Sequence, residues 1–131
     1  MPKKKTKKPD YFCDPIANFE YTEVCRMDRP GPGKAAHQYE VFTQPEDGSM
    51  GLSLCQIHFQ ENTVGEAGVN GVQHEDLMMI LIDRLRSLQQ GPYACDEYMR
   101  ALVLIEEAQQ HLHRRNRRKM DEKNESKGGN A

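Results

Sequence analysis

Two segments with helical periodicity, joined by a Gly-Pro turn, make up residues 73–119. The first is predicted to start near Gln73 or His74, because the acidic residues that follow suit the positive end of a helix dipole. Gly91 and Pro92 predict its end, since glycine favours the C-terminal cap and proline cannot continue a helix. Its apolar face comprises Leu77, Met78, Leu81, Leu85 and Leu88.

The second helix is predicted to begin at Cys95 or Asp96, where acidic residues again fall in the first turn. Its last turns, through residue 119, are strongly basic. The connection between the helices is short, so we expect them to pack antiparallel as a helical hairpin. The inner face of the second helix comprises Tyr98, Ala101, Leu102, Ile105, Ala108 and Leu112.

These two helices carry more apolar surface than one hairpin can bury. Met79, Ile80 and Ile82 widen the face of the first helix, and Val103 and Leu104 lie off the main face of the second. Exposed apolar patches usually mark contact surfaces, and small cores are marginal. We therefore predict that copies of the chain associate through the helices. The alternative is that the N-terminal part of the same chain covers the excess.

The pattern changes to alternation before the helices. Residues 37–43 and 52–60 alternate apolar and polar side chains and predict two strands of a β-hairpin. Residues 61–72 predict a glycine-rich loop. Residues 10–36, with their Pro-Gly-Pro-Gly stretch, predict an extended or linker region, within which Tyr21 to Cys25 could form a short strand.

Both ends of the chain predict disorder. Residues 1–9 form a basic, lysine-rich tail, and residues 120–131 are polar and glycine-rich. The fold class predicted for the remainder is α+β. A small N-terminal antiparallel β-hairpin or sheet precedes the helical hairpin, in a single domain over residues 37–119 that oligomerises through its helices.

Charge is segregated along a chain whose net charge is only −2. Five lysines lie in the N-terminal tail, and five more basic residues lie at the end of the second helix: Arg114, Arg115, Arg117, Arg118 and Lys119. A basic cluster on an otherwise acidic body predicts a local anion site rather than a broad nucleic-acid face. The alternative is a solvated helix end that suits the helix dipole.

The four cysteines disfavour both a zinc site and a disulfide framework, because their spacings are wide and contain no Cys-x-x-Cys. We expect the thiols to be free, and we expect no residue to bind a metal. The sequence has neither the apolar region of a signal peptide nor a run of about 18 apolar residues that would span a membrane. We therefore expect the protein in a reducing cytoplasm.

Asn70 and Gly71 come just before the first helix. Backbone amides at such a position can hold an anion at the positive end of the helix. The alternative is an ordinary turn, because Asn-Gly is a common turn pair. A Gly-Lys-Ser/Thr phosphate loop is not present.

A series of short motifs resembles a family of phage anti-defence proteins that sequester cyclic nucleotides. The family includes the Thoeris anti-defence proteins, which sequester cyclic ADP-ribose signals, and the anti-CBASS sponges, which sequester cyclic oligonucleotides. The resemblance implies a homo-oligomer, expected to be a hexamer, in the host cytoplasm. It implies binding of cyclic nucleotides between protomers without degradation or a cofactor. The motifs are Ile-His-Phe-Gln at 57–60, Glu-Ala-Gly-Val-Asn-Gly-Val at 66–72, Asp-Arg-Leu at 83–85, Gln-Gly-Pro-Tyr-Ala-Cys at 90–95, and residues 101–108.

The resemblance also implies which residues bind the ligand. Its phosphates require arginine side chains and helix N-termini, and its bases require aromatic or guanidinium faces. Arg84 could equally pair with Asp83 or Glu107, and Tyr93 could be a packing aromatic. The candidates are Asn70, Gly71, Arg84, Tyr93, Arg115, Arg118 and Lys119.

Other functions stay open alongside this one. An enzyme that degrades such signals is disfavoured, because His111 and His113 lie two residues apart on a helix and point to different sides. We expect no catalytic residue. The main alternative is an oligomeric module that binds nucleic acid or a host protein through its basic segments, and a structural oligomer without a ligand is a further one.

Overall fold

The computed structural model describes residues 12–49 and 51–128, with side chains as far as residue 125. The chain divides between Val72 and Gln73 into two compact units. This division falls inside the region predicted as a single domain, residues 37–119. The predicted basic tail, residues 1–9, lies outside the described residues.

The N-terminal unit contains an antiparallel sheet, which confirms an α+β fold. Within the described residues the sheet has four strands in the order β1-β2-β3-β4. A short 3-10 helix, Pro32–Lys34, precedes β3, and the one-turn helix α1, Val64–Ala67, follows β4. The strands are β1, Asp14–Asn18; β2, Thr22–Arg26; β3, Gln38–Thr43; and β4, Ser53–His58.

The hairpin predicted over residues 37–60 is present as β3 and β4, and β2 matches the candidate strand at residues 21–25. β1 corrects the interpretation of residues 10–36 as an extended or linker region. β2 pairs with β3 along its whole length, from Thr22 opposite Thr43 to Arg26 opposite Tyr39. β1 lies at the sheet edge, where a proline without an N–H is tolerated. Its register shifts just after Pro15, which is typical of a bulge at a sheet edge.

Cys25 on β2 is the most deeply buried cysteine, with 1% of its surface exposed. Burial raises the pKa of its thiol to about 12, and the neighbouring Cys13 thiol adds to the rise. The thiol also donates a weak hydrogen bond to a Glu23 carboxylate oxygen, at 3.7 Å. Cys55, on β4, is exposed.

Cys25 is therefore expected to react far more slowly with iodoacetamide than Cys55 in the native protein near neutral pH. The thiolate is the nucleophile, and the raised pKa of Cys25 leaves little of it at neutral pH, while burial also blocks the reagent. Peptide mass spectrometry after timed alkylation measures both rates. The rates should converge in denaturant, and equal rates in the native protein would contradict the burial of Cys25.

The C-terminal unit consists of α2, His74–Gln89, and α3, Asp96–Gly128. Both helices begin where the sequence predicted. The Asp76 carboxylate accepts a hydrogen bond from the Gln73 N–H at 2.8 Å, which satisfies a backbone donor at the start of α2. After Gly91, the Gln89 side-chain oxygen accepts the Cys95 N–H at 2.9 Å just before α3 begins.

The helices α2 and α3 contact each other. The Arg86 guanidinium pairs with the Glu106 carboxylate at 2.9 Å, and the Gln109 amide donates to the Glu75 carbonyl at 3.4 Å. Ile82 and Leu102 are the buried apolar residues among the described residues of this unit. No described helix has both the length and the apolar character that a membrane span requires.

α3 continues through residues 120–128, where the sequence analysis placed a disordered tail. Arg118 and Lys119 both lie near the Glu122 carboxylate, at 3.8 and 3.7 Å. Such pairs, three and four residues apart, each stabilise a helix by about 0.2–0.5 kcal/mol. The segment also contains good helix formers such as Met, Glu and Lys. Its polarity therefore excludes burial but is compatible with a solvated helix.

Candidate functional site

The loop between β4 and α2 is held by hydrogen bonds from Gln60. Phe59 and Val72 form a short parallel bridge, in which the Val72 N–H donates to the His58 carbonyl and the Gln60 N–H to the Val72 carbonyl. The Gln60 side-chain oxygen accepts the Asn70 N–H at 3.0 Å, and its amide donates to the Gly68 carbonyl at 2.8 Å. The glycine-rich segment therefore folds back onto the end of the sheet.

The Asn70 side chain is engaged within this loop. Its oxygen accepts the Glu61 N–H at 2.8 Å, and its nitrogen donates to the Glu61 carbonyl at 2.9 Å. The amide thus pairs with the Glu61 backbone as a neighbouring strand would. This geometry agrees with the turn alternative for Asn70, and its role in ligand binding stays a prediction.

Gly71 lies where the backbone leaves no room for a side chain. A Cβ atom there would fall against the carbonyl carbon of Phe59 and 2.6 Å from both the Gln60 nitrogen and the His58 oxygen. Real Cβ atoms do not approach backbone atoms so closely. Close backbone packing therefore explains this glycine without a ligand, and anion binding by its amide stays a prediction.

Arg84 and Tyr93 in the C-terminal unit are both exposed. Within the described part of the chain, Arg84 forms no ion pair with Asp83 or Glu107, the two partners that the sequence suggested. Tyr93 is 72% exposed and so does not act as a packing aromatic in a single copy. Both side chains remain available to a ligand or to a second copy.

The basic cluster, residues 114–119, lies along α3. Arg115 makes one long contact, 3.4 Å, to the Asn116 side-chain oxygen. Arg118 and Lys119 share Glu122, and all three of these side chains are more than half exposed. Exposed ion pairs of this kind contribute little and exchange easily with another anion. The cluster is therefore an accessible concentration of positive charge.

Tyr93 and the basic cluster do not meet within one copy. Nineteen residues of α3 separate Asp96 from Arg115, which corresponds to about 28 Å at 1.5 Å per residue. Tyr93 precedes Asp96 and therefore lies far from the basic cluster. Arg84 is ten residues, or about 15 Å, along α2 from His74. A site that combines Tyr93 with Arg115 needs a second copy.

The sequence analysis assigned no metal ligands, but the N-terminal unit brings three candidate donors together. Donor atoms of Asp28, His37 and Glu61 all lie within 4.8 Å of one another. These residues are 9 and 24 positions apart in sequence, so no local spacing motif indicates them. The pairing of strands is what places them side by side.

The fold and the distribution of charge define the class of protein. It is an α+β protein in which an antiparallel sheet precedes helices that carry an exposed basic cluster. No family model matches the chain. The chain is similar to the protein named Thoeris anti-defense 1 of Bacillus phage SBSphiJ7, with 39% identity over 62 residues. This match confirms the resemblance to the Thoeris anti-defence proteins. It covers 47% of this chain, and the chain spans less than half, 44%, of the length of that relative.

Proposed function

We propose that this chain is a phage anti-defence protein that binds and sequesters cyclic nucleotide immune signals without degrading them. The Thoeris anti-defence relative supports phage anti-defence as the general role. The observation that supports the finer role is the exposed basic cluster on α3, whose side chains have only weak, exposed partners. The ligand class comprises cyclic ADP-ribose isomers and cyclic oligonucleotides.

The residues of the C-terminal unit match the chemistry of such ligands. Arg115 and Arg118 can each donate paired N–H groups to a phosphate, which is the strongest kind of hydrogen bond available to an exposed side chain. Lys119 adds a point charge. Tyr93 offers an exposed ring on which a base can stack. Arg84 can contribute either to phosphate binding or to stacking.

Self-association through the helices is the second part of the proposal. Ile80 and Leu104 are 63% and 64% exposed, and other apolar side chains on the same helices are exposed with them: Met79, Leu81, Met99 and Val103. An exposed apolar surface of this kind favours contact with another copy of the chain. The contacts between α2 and α3 support the predicted helical hairpin as the unit that associates. The resemblance suggests a hexamer.

Sites between copies follow from the distances along α3. Tyr93 and Arg115 are too far apart in one chain to touch the same small ligand, so we place the binding site where helices of different copies meet. Such a site needs no catalytic group and no cofactor. The ligand is a signal of the infected cell, so the proposal places the protein in the host cytoplasm.

Calorimetry of the purified full chain against cyclic ADP-ribose isomers and cyclic di- and trinucleotides tests the proposal. We expect tight, stoichiometric binding of at least one compound. Chromatography of the ligand released by denaturation should recover it unaltered, and native mass spectrometry should show several copies per assembly. Absence of binding across the panel overturns the proposal, and recovery of a cleaved nucleotide replaces it with an enzymatic role.

Replacing Arg115 with alanine is expected to weaken binding of the best ligand about 10- to 150-fold. A charge-assisted hydrogen bond contributes about 1.5–3 kcal/mol, which corresponds to that range. Arg117→Ala is the control, because it removes the same charge two residues further along α3 at a position that is not a candidate. It should change the affinity less than threefold. Equal effects of the two substitutions would show that net charge matters, and not a contact at Arg115.

The same basic cluster favours a second candidate function, binding of nucleic acid. Several exposed arginines within two helical turns can contact successive phosphates. The affinity for nucleic acid would fall steeply as the salt concentration rises. It would not depend on which nucleic acid is used. Titration with a labelled DNA duplex at two salt concentrations therefore separates this function from recognition of a small cyclic nucleotide.

A further inference from the structure

Asp28, His37 and Glu61 form a donor cluster in the N-terminal unit. They lie far in sequence from the helix residues that are candidates for nucleotide binding. Asp28 follows β2, His37 immediately precedes β3, and Glu61 comes three residues after β4. Each contributes one donor atom, and these atoms all lie within 4.8 Å of one another. The cluster has one imidazole nitrogen and two carboxylate oxygens.

Asp28 is fixed by the backbone of the strand that follows it. One carboxylate oxygen accepts the N–H groups of His37 and Gln38, both at 3.0 Å. The second oxygen accepts only the longer bond from His37, at 3.2 Å. That oxygen retains a free lone pair, so Asp28 can bind a cation without losing its bonds to the backbone.

His37 supplies the observation that points to a ligand. The residue is only 8% exposed, and its Nδ1 atom is buried with no hydrogen-bond partner among the described residues. The closest acidic atom is Oε1 of Glu61, at 3.8 Å, which is too long for a hydrogen bond. A buried polar nitrogen without a partner is unfavourable, and a bound cation would remove that cost.

Glu61 completes the cluster and opens it to solvent. Its side chain is 35% exposed, so an ion can reach the site. Its other oxygen, Oε2, lies 3.6 Å from His58 Nε2, again beyond hydrogen-bond distance. The backbone of Glu61 is held by the Asn70 side chain on both its N–H and its carbonyl. The backbone of Glu61 is therefore fixed, while its carboxylate can rotate.

We propose that Asp28, His37 and Glu61 bind a divalent transition-metal ion of the zinc class. Imidazole with carboxylates is a donor set that suits zinc and its first-row neighbours, whereas magnesium and calcium prefer oxygen alone. An ion at the centre of a triangle with 4.8 Å sides lies about 2.8 Å from each donor, and zinc requires about 2.0–2.2 Å. A shift of less than 1 Å by each side chain closes the site. The ion would join the end of β2 to the starts of β3 and the glycine-rich loop.

The test uses the full chain, stripped of metal by a chelator and then freed of the chelator. Zinc is titrated in competition with a chromophoric chelator, and cobalt(II) absorption reports the type of donor. Glu61→Gln and Asp28→Asn each keep the size of the side chain and remove its charge. Glu66→Gln makes the same change at an exposed glutamate of α1 outside the cluster and is the matched control.

The proposal expects one zinc ion per chain, unchanged affinity in Glu66→Gln, and a loss of at least tenfold in both cluster variants. It also expects that zinc raises the unfolding temperature of the native chain but not of Glu61→Gln. Circular dichroism is the control that each variant is folded. The proposal is overturned if no zinc binds, if Glu61→Gln and Asp28→Asn bind as the native chain does, or if cobalt shows thiolate absorption from the cysteines.

Discussion

Replacing Gly71 with alanine is expected to lower the free energy of unfolding of the sheet-containing unit by about 3 kcal/mol. The new Cβ would meet backbone atoms of His58, Phe59 and Gln60 rather than the flexible end of a side chain. Backbone atoms can yield only if the bridge between Phe59 and Val72 opens. The substitution therefore loses the hydrogen bonds that hold the loop against the sheet.

Thermal or urea unfolding measures the effect of the Gly71 substitution. Gly65→Ala is the matched control, because a Cβ atom at Gly65 would meet no other atom within 4 Å. Gly65 also lies inside α1, where alanine is the better helix former, so this variant should be as stable as the native chain or slightly more stable. Equal stability of the Gly71 and Gly65 variants would contradict the close packing at residue 71.

Replacing Leu104 with glutamate is expected to dissociate the proposed assembly and to weaken the proposed nucleotide binding at least 100-fold. Leu104 is largely exposed in one copy, so the change should leave the helix itself folded. In an interface between copies it removes about 1.5–3 kcal/mol of apolar burial and adds the cost of an unpaired buried carboxylate. A site built from two copies would be lost with the interface.

Native mass spectrometry and calorimetry give the two readouts for the Leu104 variant. Gln110→Glu adds the same charge to an exposed polar position of α3 and should leave both copy number and affinity unchanged. Circular dichroism should show equal helix content in the two variants. If Leu104→Glu keeps the native copy number, α3 does not associate through this residue, and a monomeric native chain would contradict the oligomer altogether.

Local chemistry explains which parts of the fold could be predicted. The ends of α2 and the start of α3 depend on an acidic first turn, on Gly91 and on Pro92, and these signals lie within a few residues of the boundary that they determine. β1 was not predicted. β2 overlaps the candidate strand at residues 21–25 and is stabilised by pairing with β3, more than ten residues away.

The candidate site also has features that local sequence predicts and others that it does not. Exposed arginines on α3 could be anticipated, because a run of basic residues at a helix end stays in solvent. The engagement of the Asn70 side chain by Glu61 could not, since a common turn pair and an anion cradle have the same sequence. The length of α3 was also misjudged, because polarity predicts exposure and not disorder.

The amino-acid sequence by itself determined the α+β class, the positions of α2 and of the start of α3, and the concentration of positive charge near residue 115. These features depend on residues close together in the chain. Only the tertiary structure decided that Asp28, His37 and Glu61 share a cluster and that Gly71 packs against the backbone. Both depend on hydrogen bonds between strands and loops distant in sequence, and no local pattern specifies which segments will meet.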